Sequence, residues 1–420
     1  MQVLELILER GLEHQQKAVD AIISALNGIT MIKPYLAYEN PTFDRKEKRL
    51  EQNIKDVQEN IRADYQGCLD DGDYLNLDIK METGTGKTYV YTQTIYEMHK
   101  KFGFNKFIIA VPSLPIKAGI SQFIGDGYVK HHFSDTCGYN CDIELGILES
   151  VKKKKKGFLA MPPAVRDFVT GSFQNSNKIY VLLVNMQLLT NGNMLTRSDY
   201  DYLVEGFYRP FDALKATKPI VIIDEPHRFS RDQKAYKIIV EELCPQMIIR
   251  YGATFPNVIV GKGRNKATLK DFNNLVYELN ACDSFNLNLI KGITKEHVEP
   301  LSKKEEKVKL LSVKSKTSAT FRFEKRGKET KTYTLTTGDS LSVIDSSFEG
   351  LTISAIGKNF IELISGQVKF QGEEFNTDIY SSSYQEQMLR LAIRRHFETE
   401  RQNFSGRQFK IKTLALFFID

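Results

Sequence analysis

Residues 75–102 read LNLDIKMETGTGKTYVYTQTIYEMHKKF, and few folds accommodate that order. A short apolar run passes through a loop carrying Gly84 and Gly86 and then directly into a stretch of helical character. Glycines let the backbone curl until successive N–H groups and a helix N-terminus converge on one point, an arrangement that binds phosphate. Lys87 adds a mobile positive charge, and Thr88 offers a hydroxyl of the kind that magnesium takes. The strict phosphate-loop pattern asks for a further glycine where this chain has Met81, a departure that argues against a kinase or small GTPase.

Four more runs share the texture of 75–81: FIIAVPS (107–113), IYVLLV (179–184), PIVIID (219–224) and MIIRYGAT (247–254). Near-continuous aliphatic runs are what strands covered on both faces look like. With helical segments between them they predict an α/β fold, a parallel sheet with right-handed crossovers. Before the first run, Leu50, Ile54, Val57 and Ile61 recur at helical spacing, which predicts an amphipathic helix inserted at about residues 40–66 and packed on the domain surface. After residue 283 the chain turns to Thr/Ser/Lys-rich alternating segments, ATFRFEK, TKTYTLTT, SLSVID, LTISAI, FIELIS and VKFQ, the pattern of a small antiparallel β domain. A helix is expected over 384–400, and IKTLALFFID then reads as a fresh buried strand. A strand that opens a sheet and then ends has nothing to pair with, so the expectation is a fragment of something longer.

PIVIIDEPH supplies the second half of a nucleotide-hydrolysing site, because a carboxylate at the tip of an apolar strand can reach a magnesium held by Thr88. Asp224 would bind the metal through water, Glu225 would orient and deprotonate the attacking water, and His227 would link the γ-phosphate region to the next motif.

Composition removes other classes. With 41% hydrophobic and 26% charged residues and a mean hydropathy of -0.33, the chain sits in the ordinary globular range. No apolar run approaches the roughly 18 residues needed to span a bilayer. Glu5, Glu9 and Arg10 interrupt the opening where a secretory signal stays apolar, so a cytosolic protein without a membrane partner is expected. The formal charge of +6 is too mild to decide for or against a polyanion. Lys152 to Lys156 reads first as a solvated loop and second as a DNA-phosphate contact. The five cysteines suit reduced thiols, and CGYNC lacks the second ligand pair that a structural zinc site wants.

METGTGKT, VPSLPIKAG, IIDEPH and GATF stand in the order and spacing of motifs I, Ia, II and III of superfamily-2 helicases, whose loops commonly relax the position of Met81. LEHQQKAV is similar to their upstream glutamine motif. DEPH, GATF and the closing LALFFID resemble the restriction (Res) subunit of type III restriction-modification enzymes. That resemblance implies a first RecA-like motor domain at 1–282, a β-rich accessory domain at 283–380, a connecting helix at 381–408 and the start of a second RecA-like domain at 409–420. It implies ATP and Mg2+ as cofactors, and duplex DNA and a modification methyltransferase as partners. ATP hydrolysis would drive translocation or switching on DNA in a bacterial cytoplasm.

Carried over residue by residue, Gln15 would contact adenine, and Gly84, Thr85, Gly86, Lys87 and Thr88 would hold the phosphates. Lys87, Asp224 and Glu225 would run hydrolysis, with Thr88 and Asp224 on the metal. His227, Gly252, Ala253 and Thr254 would couple nucleotide state to DNA contacts, and Pro112, Ser113 and Asn185 would touch the DNA backbone. Blander readings stand beside these: Gln15 solvated on its helix, VPS ending a strand, Asn185 capping, GAT as plain sheet packing. Family members continue into a second motor domain with the arginines that complete the ATP site, and then into a nuclease domain. Arg228 and Arg231, just after DEPH, are the basic residues to weigh as replacements for that arginine, and Glu373 and Glu374 read as an exposed turn. The rival readings are a stand-alone superfamily-2 helicase or translocase and a catalytically idle nucleotide-dependent DNA-binding module.

Overall fold

The five apolar runs form strands of one sheet in a computed structural model that describes residues 8–59, 61, 73–150, 159–174, 178–191, 193–260, 266–291, 307–324, 329–364, 366–376, 382–406 and 413. They are β1 (Leu75–Met81), β2 (Lys106–Val111), β4 (Ile179–Asn185), β5 (Ile220–Asp224) and β6 (Met247–Gly252). Two strands the runs did not announce, β3 (Ile143–Ile147) and β7 (Leu275–Leu279), complete the order β7-β1-β6-β5-β2-β4-β3, every pair parallel. Both are edge strands. In β3 only Ile143 is buried, and β7 carries half-buried Tyr277 and Glu278, so neither has the unbroken apolar texture of an inner strand.

Alternate residues of the inner strands feed two separate cores. Ile109, Val181, Ile222 and Ile249 pack with Val19 and Ile22 of α1 (Glu13–Ala25), Leu50 and Ile54 of α2 (Lys48–Gln58), Val90 and Ile95 of α3 (Lys87–Phe102) and Ile120 of α4 (Leu114–Gly125). Ile108, Leu182, Ile223 and Ile248 point the other way, onto Val165 and Phe168 of α5 (Pro163–Gln174) and Phe211 and Leu214 of α6 (Pro210–Ala216). Each fully buried aliphatic side chain contributes roughly 1.5–3 kcal/mol relative to exposure. The alternation explains why the strands read as continuous apolar runs: both faces are covered.

β1 is the exception. Leu75, Leu77, Ile79 and Met81 join the first core, but Asn76 and Asp78 on the opposite face are buried and polar. The partner arrives from β6, where Arg250 sets Nε and Nη2 at 2.7 Å from the two carboxylate oxygens of Asp78. Arg250 also donates to the Asp271 backbone oxygen at 2.7 Å, and Asp271 in turn accepts from Arg231 Nε at 2.7 Å. Arg250, Asp78 and Asp271 are all 0% exposed. Burial alone would depress the Arg250 guanidinium, but the carboxylates of Asp78 and Asp271 outweigh it and hold the group above its ordinary range.

The chain divides into two compact units, Met1–Gly292 and Ile293–Asp420. The second holds a four-stranded antiparallel sheet and a three-stranded one. The first sheet comprises β8 (Lys307–Lys314), β9 (Ser318–Glu324), β10 (Lys331–Leu335) and β14 (Glu374–Asn376), in the order β10-β9-β8-β14. The other comprises β11 (Ile353–Ile356), β12 (Phe360–Leu363) and β13 (Val368–Phe370). Val308, Leu310, Phe321, Phe348 and Ile361 form their core. Two details differ from the sequence pattern. SLSVID makes a 3-10 turn, Leu341–Val343, whose Leu341 enters that core, and Glu374 opens a strand paired with β8 instead of extending a turn. A long helix, α7 (Ser382–Ser405), follows. The closing run, apart from Thr413, lies outside the described residues, as do Lys152 to Lys156 and Cys68. Among the described residues no helix is long and apolar enough to cross a membrane.

Candidate active site

The carboxyl ends of β1, β6 and β5 lie side by side and level, with Lys80 opposite Gly252 and Asp224 opposite Tyr251. Ligands of parallel α/β sheets bind at this edge. The loop leaving β1 turns through Gly84 at φ 87° and Gly86 at φ 90°, and Gly86 caps the start of α3. A side chain at Gly84 would meet no atom within 4 Å, so the space beside that residue is open. At Gly86 a Cβ would fall 2.3 Å from Gln15 Nε2. Gln15 is 7% exposed and donates from Nε2 to the Thr85 carbonyl at 3.4 Å, so α1 braces the phosphate loop from behind. His14, which pattern reading passed over, sits with Nε2 3.0 Å from the same oxygen. Its one signal was adjacency to Gln15 in LEHQ. Thr85 closes the loop locally, Oγ1 donating to Glu82 O at 2.7 Å.

DEPH folds onto this loop. Glu225 has φ 58° and ψ 64°, a left-handed conformation that is strained for a residue with a side chain, and it is pinned by its N–H to Tyr251 O at 3.0 Å. Its carboxylate stands between two groups: Lys87 Nζ is 3.5 Å from one oxygen, and His227 Nδ1 is 3.3 Å from the other. The same His227 nitrogen lies 3.2 Å from Thr254 Oγ1. Lys87, Glu225, His227 and Thr254, from three loops, therefore form one unbroken polar line. Gly252 permits it, because a Cβ there would sit 2.4 Å from Pro226 Cδ; Ala253 continues the turn to Thr254. Gly252→Ala should push the two loops apart and destabilise the chain by roughly 1–3 kcal/mol, read by chemical denaturation. An unchanged midpoint would show that the loops move aside freely.

Asp224 ends β5 at 6% exposure, and its Oδ1 is buried with no hydrogen-bond partner among the described residues. Burial, and after it the Glu225 charge, push its carboxyl up to about 6, with Lys87 opposing. An orphaned carboxylate oxygen at a strand tip, on the sheet edge that also carries the phosphate loop and the hydroxyl of Thr88, is a donor set that fits a hard cation such as magnesium. The free protein should therefore lose stability as pH rises from about 4 to about 6, since the folded carboxyl still holds its proton where the unfolded one has released it. Asp224→Asn should remove that slope and stabilise the ligand-free chain at neutral pH by roughly 2 kcal/mol, measured by thermal unfolding across pH. A variant no more stable than the parent at pH 7 would refute the assigned burial penalty.

Residues 10–257 match the family model described as "Type III restriction enzyme, res subunit". The chain belongs to that family. It is 38% identical over 431 aligned positions to the type III restriction-modification enzyme StyLTI Res subunit of Salmonella typhimurium, covering 99% of this chain and 39% of the relative. The EcoP15I Res subunit of Escherichia coli is 36% identical, with 98% of this chain and 41% of the relative covered. The EcoPI Res subunit of Escherichia phage P1 matches at 36% over the same shares. The chain thus spans about two-fifths of the length of the relatives it matches. Among solved structures, a nuclease-deletion mutant of the type ISP restriction-modification enzyme LlaGI with a DNA substrate mimic aligns at TM-score 0.35 and 10% identity, covering 67% of this chain and 21% of that one.

In this Res-family chain the remaining candidates occupy the same sheet edge, farther along. Pro112 and Ser113 follow β2 and are partly exposed, and Ser113 leads into α4 without a side-chain cap bond. Asn185 lies at the end of β4 beside Val111, but its side chain is only 2% exposed, so it presents little to a ligand in this conformation. Arg231 is not free to serve the nucleotide, since Asp271 and Asn273 hold its guanidinium. Arg228 is exposed.

Proposed function

We propose that this chain is the ATP-binding motor part of a type III Res subunit, hydrolysing ATP with magnesium to drive translocation or switching on duplex DNA. The observation that carries the reading is the polar line Lys87, Glu225, His227, Thr254 beside the orphaned Asp224 carboxylate. In the free protein the Lys87 ammonium rests on Glu225. A triphosphate arriving over Gly84 and Gly86 competes for that ammonium, and Glu225 is released to orient a water and take its proton. Thr88 and Asp224 would hold magnesium, which when bound supplies charge neutralisation at the phosphate oxygens. His227 carries the change at Glu225 to Thr254, and Gln15, which rests on the Thr85 carbonyl in the free protein, is assigned to the base. Pro112, Ser113 and Asn185 are assigned to the DNA side. We assign the motor to residues 1–282, an accessory β domain to 283–380, a connecting helix to 381–408 and the start of a second motor domain to 409–420. The partners on this reading are duplex DNA and a modification methyltransferase, in a bacterial cytoplasm, with cleavage performed by a nuclease domain outside these residues.

The test is nucleotide binding by this chain with and without magnesium, followed by ATP turnover with and without duplex DNA. Magnesium-dependent binding is expected, with weak turnover that rises once the chain is extended through a second motor domain, because a cationic finger is worth about 10³–10⁵ in rate. No magnesium-dependent binding by the folded chain would overturn the reading. Turnover in the extended protein that DNA leaves unchanged would reduce it to an ATPase uncoupled from DNA.

A further inference from the structure

Arg231 follows the last residue of DEPH by four positions, and the hydrolytic chemistry above gives it no part. Its guanidinium is taken up by residues that lie downstream of GATF. Nε donates to Asp271 Oδ1 at 2.7 Å, and Nη2 donates to Asn273 Oδ1. Asp271 is 0% exposed and tied at three further points. Its N–H donates to Pro256 O at 2.9 Å, its backbone oxygen accepts from Arg250 Nη2 at 2.7 Å, and its Oδ2 lies 3.4 Å from Arg250 Nη1. Arg250 is held in turn by both oxygens of Asp78 on β1. Arg231 therefore fastens the chain leaving DEPH to a fully buried ionic network.

Between that fastening and the end of β5 stands the strained residue of the site. Glu225, at φ 58° and ψ 64°, has a conformation that persists only where the surroundings over-determine it. On its upstream side the fixing point is its own N–H on Tyr251 O at 3.0 Å. Downstream the chain makes one 3-10 turn, Pro226–Arg228, with Arg228 N–H on Glu225 O at 3.0 Å and Phe229 N–H on Pro226 O at 2.9 Å. Phe229 then enters the second core and Arg231 reaches Asp271 and Asn273. An apolar ring in a core fixes depth, whereas a planar fork with two donors on two acceptors also fixes direction.

Resting on the nucleotide reading, we propose that Arg231 is a positioning residue for hydrolysis: by clamping the exit of the DEPH turn to Asp271 and Asn273, it holds the Glu225 carboxylate in place for the attacking water. The phosphate loop hangs instead on β1 and α3 and is braced by His14 and Gln15, so nucleotide affinity does not pass through this clamp. A group that acts on the chemical step alone slows turnover without weakening ground-state binding.

Arg231→Gln is the test, made in the protein extended through a second motor domain and supplied with duplex DNA. Affinity is read with a fluorescent non-hydrolysable ATP analogue and magnesium, and stability by urea unfolding. The expected result is a roughly tenfold fall in kcat, in line with loss of a hydrogen bond to a charged group, while affinity stays within about twofold. On a Glu225→Gln background the same substitution should slow turnover no further. Tyr236→Phe controls for loosening alone. It breaks the buried contact between the Tyr74 and Tyr236 hydroxyls, 2.8 Å apart, on the short helix Lys234–Ile238 that follows Arg231. That variant should lower the urea midpoint and keep the parental kcat. A parental kcat in Arg231→Gln overturns the proposal, as does a loss of affinity equal to the loss of turnover. Equal slowing in Tyr236→Phe, or further slowing on the Glu225→Gln background, overturns it too. If Arg231→Gln does not fold, Arg231→Lys decides, since it keeps the charge on Asp271 without the planar fork. Turnover about threefold slower at parental affinity is then expected, and parental turnover overturns the proposal. A parent that turns over no ATP removes the underlying reading as well, and that outcome is visible before any variant is made.

Discussion

Lys87→Ala should lower the affinity for a magnesium nucleotide by roughly 10²-fold, whereas Glu225→Gln should leave affinity within about threefold and slow turnover by roughly 10²- to 10⁴-fold. The asymmetry follows from where the two side chains sit. Lys87 is 9% exposed and 3.5 Å from Glu225, so its ammonium stands at the end of the phosphate loop against a DEPH carboxylate. Removing it takes a charge from the phosphates. It also removes the group that opposes the upward push on Asp224, leaving a carboxylate less willing to ionise for magnesium. Glutamine at 225 keeps the shape and the left-handed turn and releases Lys87 toward the phosphates, but it cannot accept a proton from water. Isothermal titration with a non-hydrolysable nucleotide and a phosphate-release assay, run on both variants after their folds are checked, separate the two roles. Loss of both binding and turnover in Glu225→Gln would sink the division of labour.

The second large effect concerns stability and lies away from the nucleotide. Removing one member of the buried pair Asp78 and Arg250 should destabilise the chain by roughly 3–5 kcal/mol, on the order of 10 °C in Tm, because each leaves an uncompensated charge at a site with no access to water. Asp78→Asn strips the bidentate partner from Arg250 and weakens the acceptor for the Asn273 N–H, now 2.8 Å from Asp78 Oδ2. Arg250→Met leaves the Asp78 charge with only the Asn273 N–H and takes one of the two guanidinium groups from Asp271, which keeps Arg231. Replacing both by apolar residues of similar volume should cost much less than the sum of the single changes. Urea unfolding of the two single variants and the double measures the coupling. Additive losses would mean that the pair does not act as a unit.

Legibility divides along the same line. The phosphate loop was readable because its chemistry is local: Gly84 and Gly86 adopt left-handed angles that other residues resist, and Lys87 and Thr88 follow them in sequence. DEPH was readable for a similar reason, an acidic pair at the end of an apolar run. The inner strands were readable because burial on both faces leaves no polar alternation to interpret. The edge strands β3 and β7 were not, since part of each is spared burial and admits Glu144, Gly146 and Glu278. β1 passed as uniformly apolar although Asn76 and Asp78 face away from the core that its leucines fill.

The sequence by itself determined the layer architecture and the chemical kind of the site, because glycine torsions, charge and apolar continuity act over a few residues. Tertiary structure alone decided who meets whom. Asp78 finds Arg250 across 172 positions of chain, His14 and Gln15 reach Thr85 from a helix about 70 residues upstream, and Tyr251 meets Tyr91 and Thr94 of α3 from the far end of the sequence unit. Strand order and register set those pairings, and neither is written in any local run of residues, since both depend on how the helices cross between strands and which faces they cover.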